Sequence, residues 1–173
     1  MGTFLVTSHG RSGTKWLARE LNRSKTWTVT HEGTGAHSVI KNYGNVSSYM
    51  RFYPPEVDKL AVIVRDPMGI ARSAYYKNPQ GWKQFIKDLP KDLQALEDLL
   101  ERPDTIRIHF PFMVLNESYL VLIAQSLGIT DLDERSVDLS ATNSSKPGGL
   151  SSSQEEQVER AAGWFRRKWC LPL

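Results

Sequence analysis

Only one cysteine, Cys170, occurs in the chain, so no internal disulfide can form and a reducing compartment, the cytoplasm, is the simpler expectation. Long apolar runs are also missing. The longest, Leu60 to Val64 and Leu120 to Ala124, fall far below the roughly 18 residues that a membrane-spanning helix needs, so no membrane span is expected. A secretory leader is not expected either, because no basic residue precedes the short run Phe4-Leu5-Val6. An N-myristoylation signal fails at Val6, where Ser or Thr is required. Neither an HExxH pattern nor a paired-cysteine ligand set occurs, so no metal is expected. Excess charge is small. A formal charge of +3 and a pI near 9.0 favour anionic ligands without calling for a specific nucleic acid.

What is present suits one compact unit. With 40% of its 173 residues hydrophobic and 24% charged, and with no repeat or long linker, the span 1–173 reads as a single domain with a real core. Thr3 to Ser8 and the β-branched Thr26 to His31 read as strands, with a helix over Thr14 to Asn22 between them. Gly33 to Asn45, rich in Gly, Ser and Asn, reads as a loop, followed by a helical piece that stops at Pro54-Pro55. Leu60 to Val64 has the continuous apolar character of a strand buried on both faces of a parallel sheet. Helices are expected from Pro67 to about Tyr76, then over Gly81 to Leu89 and Lys91 to Arg102 with Pro90 between them. Thr105 to His109 is a further strand, and Ser118 to Leu127 a helix closed by Gly128. A last helix runs from about Gln154 to Lys168, with Ser153 and Glu156 spaced as a capping box. Arg166-Arg167-Lys168 near its end complement the helix dipole more simply than they bind nucleic acid. This alternation implies an α/β fold: a doubly wound parallel sheet of four or five strands in a three-layer α/β/α arrangement like that of the P-loop nucleotide kinases. Ligands of such sheets lie beyond the carboxyl ends of the strands. Three candidate sites end strands in this way: a Gly-rich loop, His31-Glu32 and Arg65.

The Gly-rich loop is TSHGRSGTKWL, Thr7 to Leu17. Gly10 and Gly13 allow backbone geometry that side chains forbid and let an oxyanion approach. The helix beginning near Gly13 would turn its free N–H groups and positive dipole end toward that oxyanion. Arg11, Ser12, Thr14 and Lys15 add charged and hydroxyl donors, and Trp16 is placed either to stack on a planar base or to pack into the core. The ATP-binding P-loop spacing is not met, since only Arg11 and Ser12 separate the glycines and Thr14 intervenes before Lys15.

Gly10-Arg11-Ser12-Gly13-Thr14-Lys15-Trp16 resembles instead the 5′-phosphosulfate loop of the sulfotransferases that use 3′-phosphoadenosine 5′-phosphosulfate (PAPS), with Gly10 for the usual Pro and Lys15 for the second Thr. LAVIVRDPMGIARSAYY is similar to that family's 3′-phosphate site, an Arg ending the third strand and a Ser eight residues on, here Arg65 and Ser73. Arg65 supplies a planar fork for phosphate oxygens, while Gly69 and Ser73, at i and i+4, share a helix face. The resemblance also implies a catalytic base after the second strand, with Glu32 first and His31 second. Lys146, Gly148 and Gly149 resemble, more loosely, the late basic loop that closes on the 3′-phosphate. It implies sulfuryl transfer from PAPS, with adenosine 3′,5′-bisphosphate (PAP) as product, no metal, and Arg11 and Lys15 stabilising the leaving oxygen. The chain is short for the family, and much of the acceptor-binding insertion reads as reduced.

The acceptor is a small molecule, a saccharide or a peptide, and a homo-oligomer that completes the pocket is a further expectation. Tyr43, Tyr49, Phe52, Tyr53, Tyr75, Tyr76 and Trp82 are candidates to line that pocket or to fill the core. Two other classes stay open: a small-molecule or nucleotide kinase with an altered P-loop, requiring Mg²⁺ and a strand-end carboxylate, and a nucleotide-binding module without chemistry.

Overall fold

The computed structural model describes residues 2–33, 42–52, 54–133, 139 and 149–170. Five strands make one parallel sheet: β1 (Gly2–Ser8), β2 (Thr28–His31), β3 (Asn42–Ser47), β4 (Lys59–Val64) and β5 (Ile106–His109), in the order β2-β3-β1-β4-β5. The helices are α1 (Thr14–Leu21), α2 (Pro67–Lys77), α3 (Trp82–Leu100), α4 (Phe110–Leu115), α5 (Glu117–Ser126) and α6 (Ser152–Trp169). Alternation along the strands divides the core into two layers. Phe4, Val6, Ala61 and Ile63 point into one, with Leu17 and Leu21 of α1, Met113 of α4 and Leu120 of α5. Leu5, Leu60, Val62 and Val64 point into the other, with Ala71 of α2, Leu89 and Leu93 of α3 and Phe165 of α6. The three-layer α/β/α expectation therefore holds. No helix among the described residues is long and apolar enough to cross a membrane.

Strand order reverses at β1, which pairs with β3 on one side and β4 on the other. A crevice opens at such a switch point beyond the strands' carboxyl ends, and it is there that the loop after β1 and Arg65 after β4 emerge.

Four local readings differ from the structure. The expected loop Gly33 to Asn45 enters β3 at Asn42, while residues 34–41 lie outside the described part. β3 looks unlike a strand because it carries Gly44, yet a Cβ there would overlap the Phe4 ring of β1. Its asparagines are bonded outward, Asn42 Oδ1 accepting from Gly2 N at 2.9 Å and Asn45 Nδ2 donating to Gly33 O at 2.6 Å. Residues 48–52 turn rather than form a helical piece. Pro90 does not divide α3, which runs unbroken through it. Proline costs that helix a backbone bond, but Leu89, Leu93, Leu96 and Leu100 form one buried stripe, and each such side chain contributes about 1.5–3 kcal/mol on burial. The capping box of α6 is Ser151 with Gln154 rather than Ser153 with Glu156, because Leu150 packs onto the core and sets the turn one residue after itself. Helix α4 was not legible as a separate element, and α5 ends as expected at Gly128, whose φ is 92°.

Candidate functional site

The loop 9–13 turns from β1 into α1 on two residues with positive φ, Arg11 at 70° and Gly13 at 77°. Gly13 is required twice over: besides its φ, a Cβ would lie 3.1 Å from Phe110 and 3.2 Å from Met113. Gly10 does not play the expected conformational part, since its φ is not positive and a Cβ there would meet nothing within 4 Å. Arg11 takes the left-handed conformation instead, and its side chain turns toward α2. Its Nε donates to Ser73 Oγ at 3.1 Å. Arg65 donates in turn to the Arg11 carbonyl, and its guanidinium lies 4.1 Å over the Phe110 ring. Gly69 gives the room expected of it, for a Cβ there would stand 3.3 Å from Arg65 Nε.

The two cation clusters expected at opposite ends of a ligand thus adjoin, with Arg11 at their boundary. Burial, then repulsion from Arg11, pushes the Arg65 pKa down to about 10, against partial support from Asp66. Asp66 is engaged elsewhere as the N-cap of α2, its carboxylate accepting from Met68 N. Ser12 is fully buried and its hydroxyl has no hydrogen-bond partner among the described residues. Two crowded cations and an unmet hydroxyl beside a helix N-terminus fit a polyanionic ligand. Lys15 is exposed on the first turn of α1. Trp16 is 9% exposed and packs in the core under the sheet, so of its two expected uses the structure realises packing and leaves at most an edge for a base.

Across the crevice, at the end of β2, His31 Nε2 shares a hydrogen bond with Thr14 Oγ1 at 3.1 Å, tying the strand end to the loop. Glu32, at φ 54°, directs its carboxylate to the end of β3. Its Oε2 accepts from Ser47 Oγ at 2.6 Å, and its Oε1 accepts from Ser48 N at 2.9 Å and Ser48 Oγ at 2.7 Å. Burial would raise the Glu32 pKa, but these bonds and the nearby His31 outweigh it and hold the carboxyl below its ordinary value. Oε1 also lies 3.6 Å from His31 Nε2.

Lys146 and Gly148 lie outside the described residues, as does Tyr53. Gly149 is exposed, two residues before the cap of α6. The first turns of α6 are tied to α2 and α3 by Arg72–Glu155 at 2.7 Å and by Trp82 Nε1 donating to Gln157 Oε1 at 3.0 Å. Among the aromatic candidates, Tyr49 and Tyr76 are exposed, whereas Tyr75 and Trp82 pack edge to face on each other. The sequence reading passed over Phe110, Ser47 and Ser48. Phe110 had a signal, since it directly follows the carboxyl end of a strand; the serines had none, because β3 itself was not seen.

No family model matches the chain, and no curated protein does. Solved structures do. A sulfotransferase from Alicyclobacillus acidocaldarius matches at a TM-score of 0.65 and 14% identity, over 100% of this chain and 97% of that one. Mouse sulfotransferase SULT7A1 complexed with PAP matches at 0.66 and 17% identity, over 96% of this chain and 85% of that one. The chain has the sulfotransferase fold. Near-complete coverage of the Alicyclobacillus protein also means that its short length is no departure from that structure. Within the sulfotransferase fold, Arg65 and His31 stand at strand ends, Arg11 in the loop after β1 and Ser73 on the second turn of α2, all beyond the carboxyl ends of the strands where α/β sheets receive ligands.

Proposed function

We propose that the chain is an enzyme that transfers a sulfuryl group from PAPS to a hydroxyl or amine of a small-molecule, saccharide or peptide acceptor. The observation that carries this reading is the Arg11–Ser73–Arg65 corner, where two guanidinium groups crowd with one hydroxyl at the mouth of the crevice. An anion placed there relieves the repulsion and restores the cations' preference for charge. The likeness in fold to a mouse sulfotransferase complexed with PAP supports a donor of that class.

In this reading the loop N–H groups, Ser12, Thr14 and Lys15 receive the 5′ end of the donor, and Arg65 with Ser73 its 3′-phosphate. Arg11 stands where either end is in reach. The donor supplies an activated sulfuryl group on a phosphate leaving group. His31 is the better base of the pair, which reverses the order expected from sequence. Its Nε2 faces the loop through Thr14, whereas the three hydrogen bonds on Glu32 occupy and weaken that carboxylate as a base. His31 takes the acceptor's proton as the new bond to sulfur forms and the bridging oxygen departs with its electron pair on the 5′-phosphate. Glu32 Oε1 stands 3.6 Å from that same Nε2 and offsets part of the positive charge that the proton brings. Arg11 and Lys15 balance the charge that collects on the departing oxygen.

Ligand-dependent melting tests the donor class. PAP at a hundred times its Kd stabilises the fold by about 2.7 kcal/mol, so a rise in melting temperature of several degrees is expected with PAP, and a smaller one with ATP and Mg²⁺. A larger rise with ATP and Mg²⁺ would reject this reading in favour of a kinase.

A further inference from the structure

His9, the first residue of the loop, is used by neither the cation corner nor the proposed base, yet it is buried. Its Nδ1 lies 2.8 Å from the Gly10 carbonyl, and its Nε2 approaches Oδ2 of Asp92 on α3 to 3.2 Å, a close polar contact rather than an aligned hydrogen bond. Phe85, also on α3, meets the ring edge-on at 5.9 Å. The same Asp92 oxygen receives Arg51 Nη2 at 2.9 Å, and Arg51 Nη1 donates to the Ser48 carbonyl. Ser48 in turn donates to Glu32, which stands beside His31, which bonds Thr14. These contacts leave the loop at Gly10 and return to it at Thr14. They form a closed circuit through α3 and the ends of β2 and β3, gripping the loop at both its ends.

The middle of the circuit is largely buried. The side chains of His9, Arg51 and Asp92 are 9%, 9% and 16% exposed, so their contacts are little screened by solvent. Burial would raise the Asp92 pKa, but His9 and Arg51 outweigh it and hold the carboxylate charged. Gly10, by contrast, has no packing of its own on its side-chain face. A peptide with nothing packed against it keeps its orientation only through its hydrogen bonds, and His9 supplies one at the carbonyl.

We propose that His9, anchored on Asp92 of α3, is a positioning residue that fixes the Gly10 peptide and so sets the direction in which the loop offers its N–H groups to the donor's 5′ end. This rests on the reading of the loop as a donor site. Backbone amides recognise an oxyanion only when several of them converge, and one freely turning peptide at the loop's entry spoils that convergence.

Calorimetric titration of the full chain with PAP tests the proposal, with His9→Phe, His9→Asn and His9→Gln compared to wild type. Phe keeps the ring against Phe85 and removes both polar contacts. Asn can present an N–H near the position of Nδ1, so it restores the bond to Gly10, whereas Gln reaches toward Asp92 instead. His9→Phe is expected to bind PAP about five- to tenfold more weakly, the worth of one net hydrogen bond, and His9→Asn to recover to within about threefold of wild type. Equal binding by His9→Phe and wild type overturns the proposal, as does His9→Asn binding no better than His9→Phe. Should His9→Phe fail to fold, the comparison of His9→Asn with His9→Gln decides: tighter binding by Asn supports the proposal, and equal or weaker binding overturns it. A wild type that does not bind PAP overturns the functional reading itself and this inference with it, whereas binding unaffected by His9 overturns this inference alone.

Discussion

The two sides of the crevice meet their charges in opposite ways. At the ends of β1 and β4, Arg11 and Arg65 crowd each other while the nearest carboxylate, Asp66, caps α2. At the ends of β2 and β3, Glu32 accepts three hydrogen bonds and its charge is fully served by the fold. The first arrangement costs the ligand-free protein something and becomes favourable when an anion arrives. The second stabilises the protein at rest and leaves its carboxylate little to offer a substrate. One side keeps two crowded cations only partly offset by Asp66, and the other satisfies its carboxylate within the fold. That difference supports the proposed placement of an anion on the arginine side and of the proton acceptor at His31 rather than at the saturated Glu32.

The steepest loss is expected at the base. His31→Asn is expected to lower turnover with PAPS and a pool of hydroxyl and amine acceptors by about 10²- to 10⁴-fold, with PAP affinity nearly unchanged. Sulfate transfer and calorimetric binding, measured on the same preparation, check both halves. Full activity in His31→Asn would return the base to Glu32 or to neither. The next largest effect is on the arginine side. Arg65→Met removes a charge-assisted grip and is expected to weaken PAP binding by about 10- to 100-fold. The same change relieves the Arg11–Arg65 repulsion, so the ligand-free melting temperature should hold or rise. A fall in ligand-free stability with unchanged PAP affinity would mean that Arg65 is a structural residue, and the contrast between the two sides would disappear.

The arginine side was the more legible in the sequence, for a physical reason. Its parts are local: a strand, a turn and a helix start supply Gly13 through Lys15, and another strand with the first two turns of α2 supplies Arg65, Gly69 and Ser73. Short-range signals, such as apolar runs, Pro67 at a helix start and glycine at a turn, are read directly from neighbouring residues. Even there, the meeting of Arg11 with Ser73 across 62 positions was not in the sequence. The other side depends on β3, whose Asn-Tyr-Gly-Asn pattern looks like a loop until Phe4 is seen lying over Gly44. With β3 unread, Ser47 and Ser48 could not be placed against Glu32, and it is their hydrogen bonds that lead us to propose His31 before Glu32 as the base. His9, Arg51 and Asp92 come from three separate stretches and carry no common motif, so only the fold brings them together.

The smallest expected effect sharpens the comparison from the completed side, through pH. Glu32 is held below its ordinary value of 4.5 because hydrogen bonds from Ser47 and Ser48 and the nearby His31 favour its charged form more than burial opposes it. Its folded pKa therefore lies under its unfolded one. Its contribution to stability is fully present above about pH 4.5 and is lost as pH falls through the lower, folded value. Asp92 is depressed as well and adds to the same trend in wild type, so the difference between wild type and Glu32→Gln is what isolates this residue. Gln keeps the shape and an accepting oxygen but carries no charge. The variant is expected to be less stable by about 1 kcal/mol at pH 7, a fall of about 2–4 °C in melting temperature for a chain of this size. As pH falls from 4.5 through the lower, folded value the two melting curves should converge, because the wild-type carboxyl then takes up its proton. A gap that stayed constant down to low pH would show that Glu32 acts through packing rather than charge, and its side of the crevice would then no longer be the one whose charge the fold already satisfies.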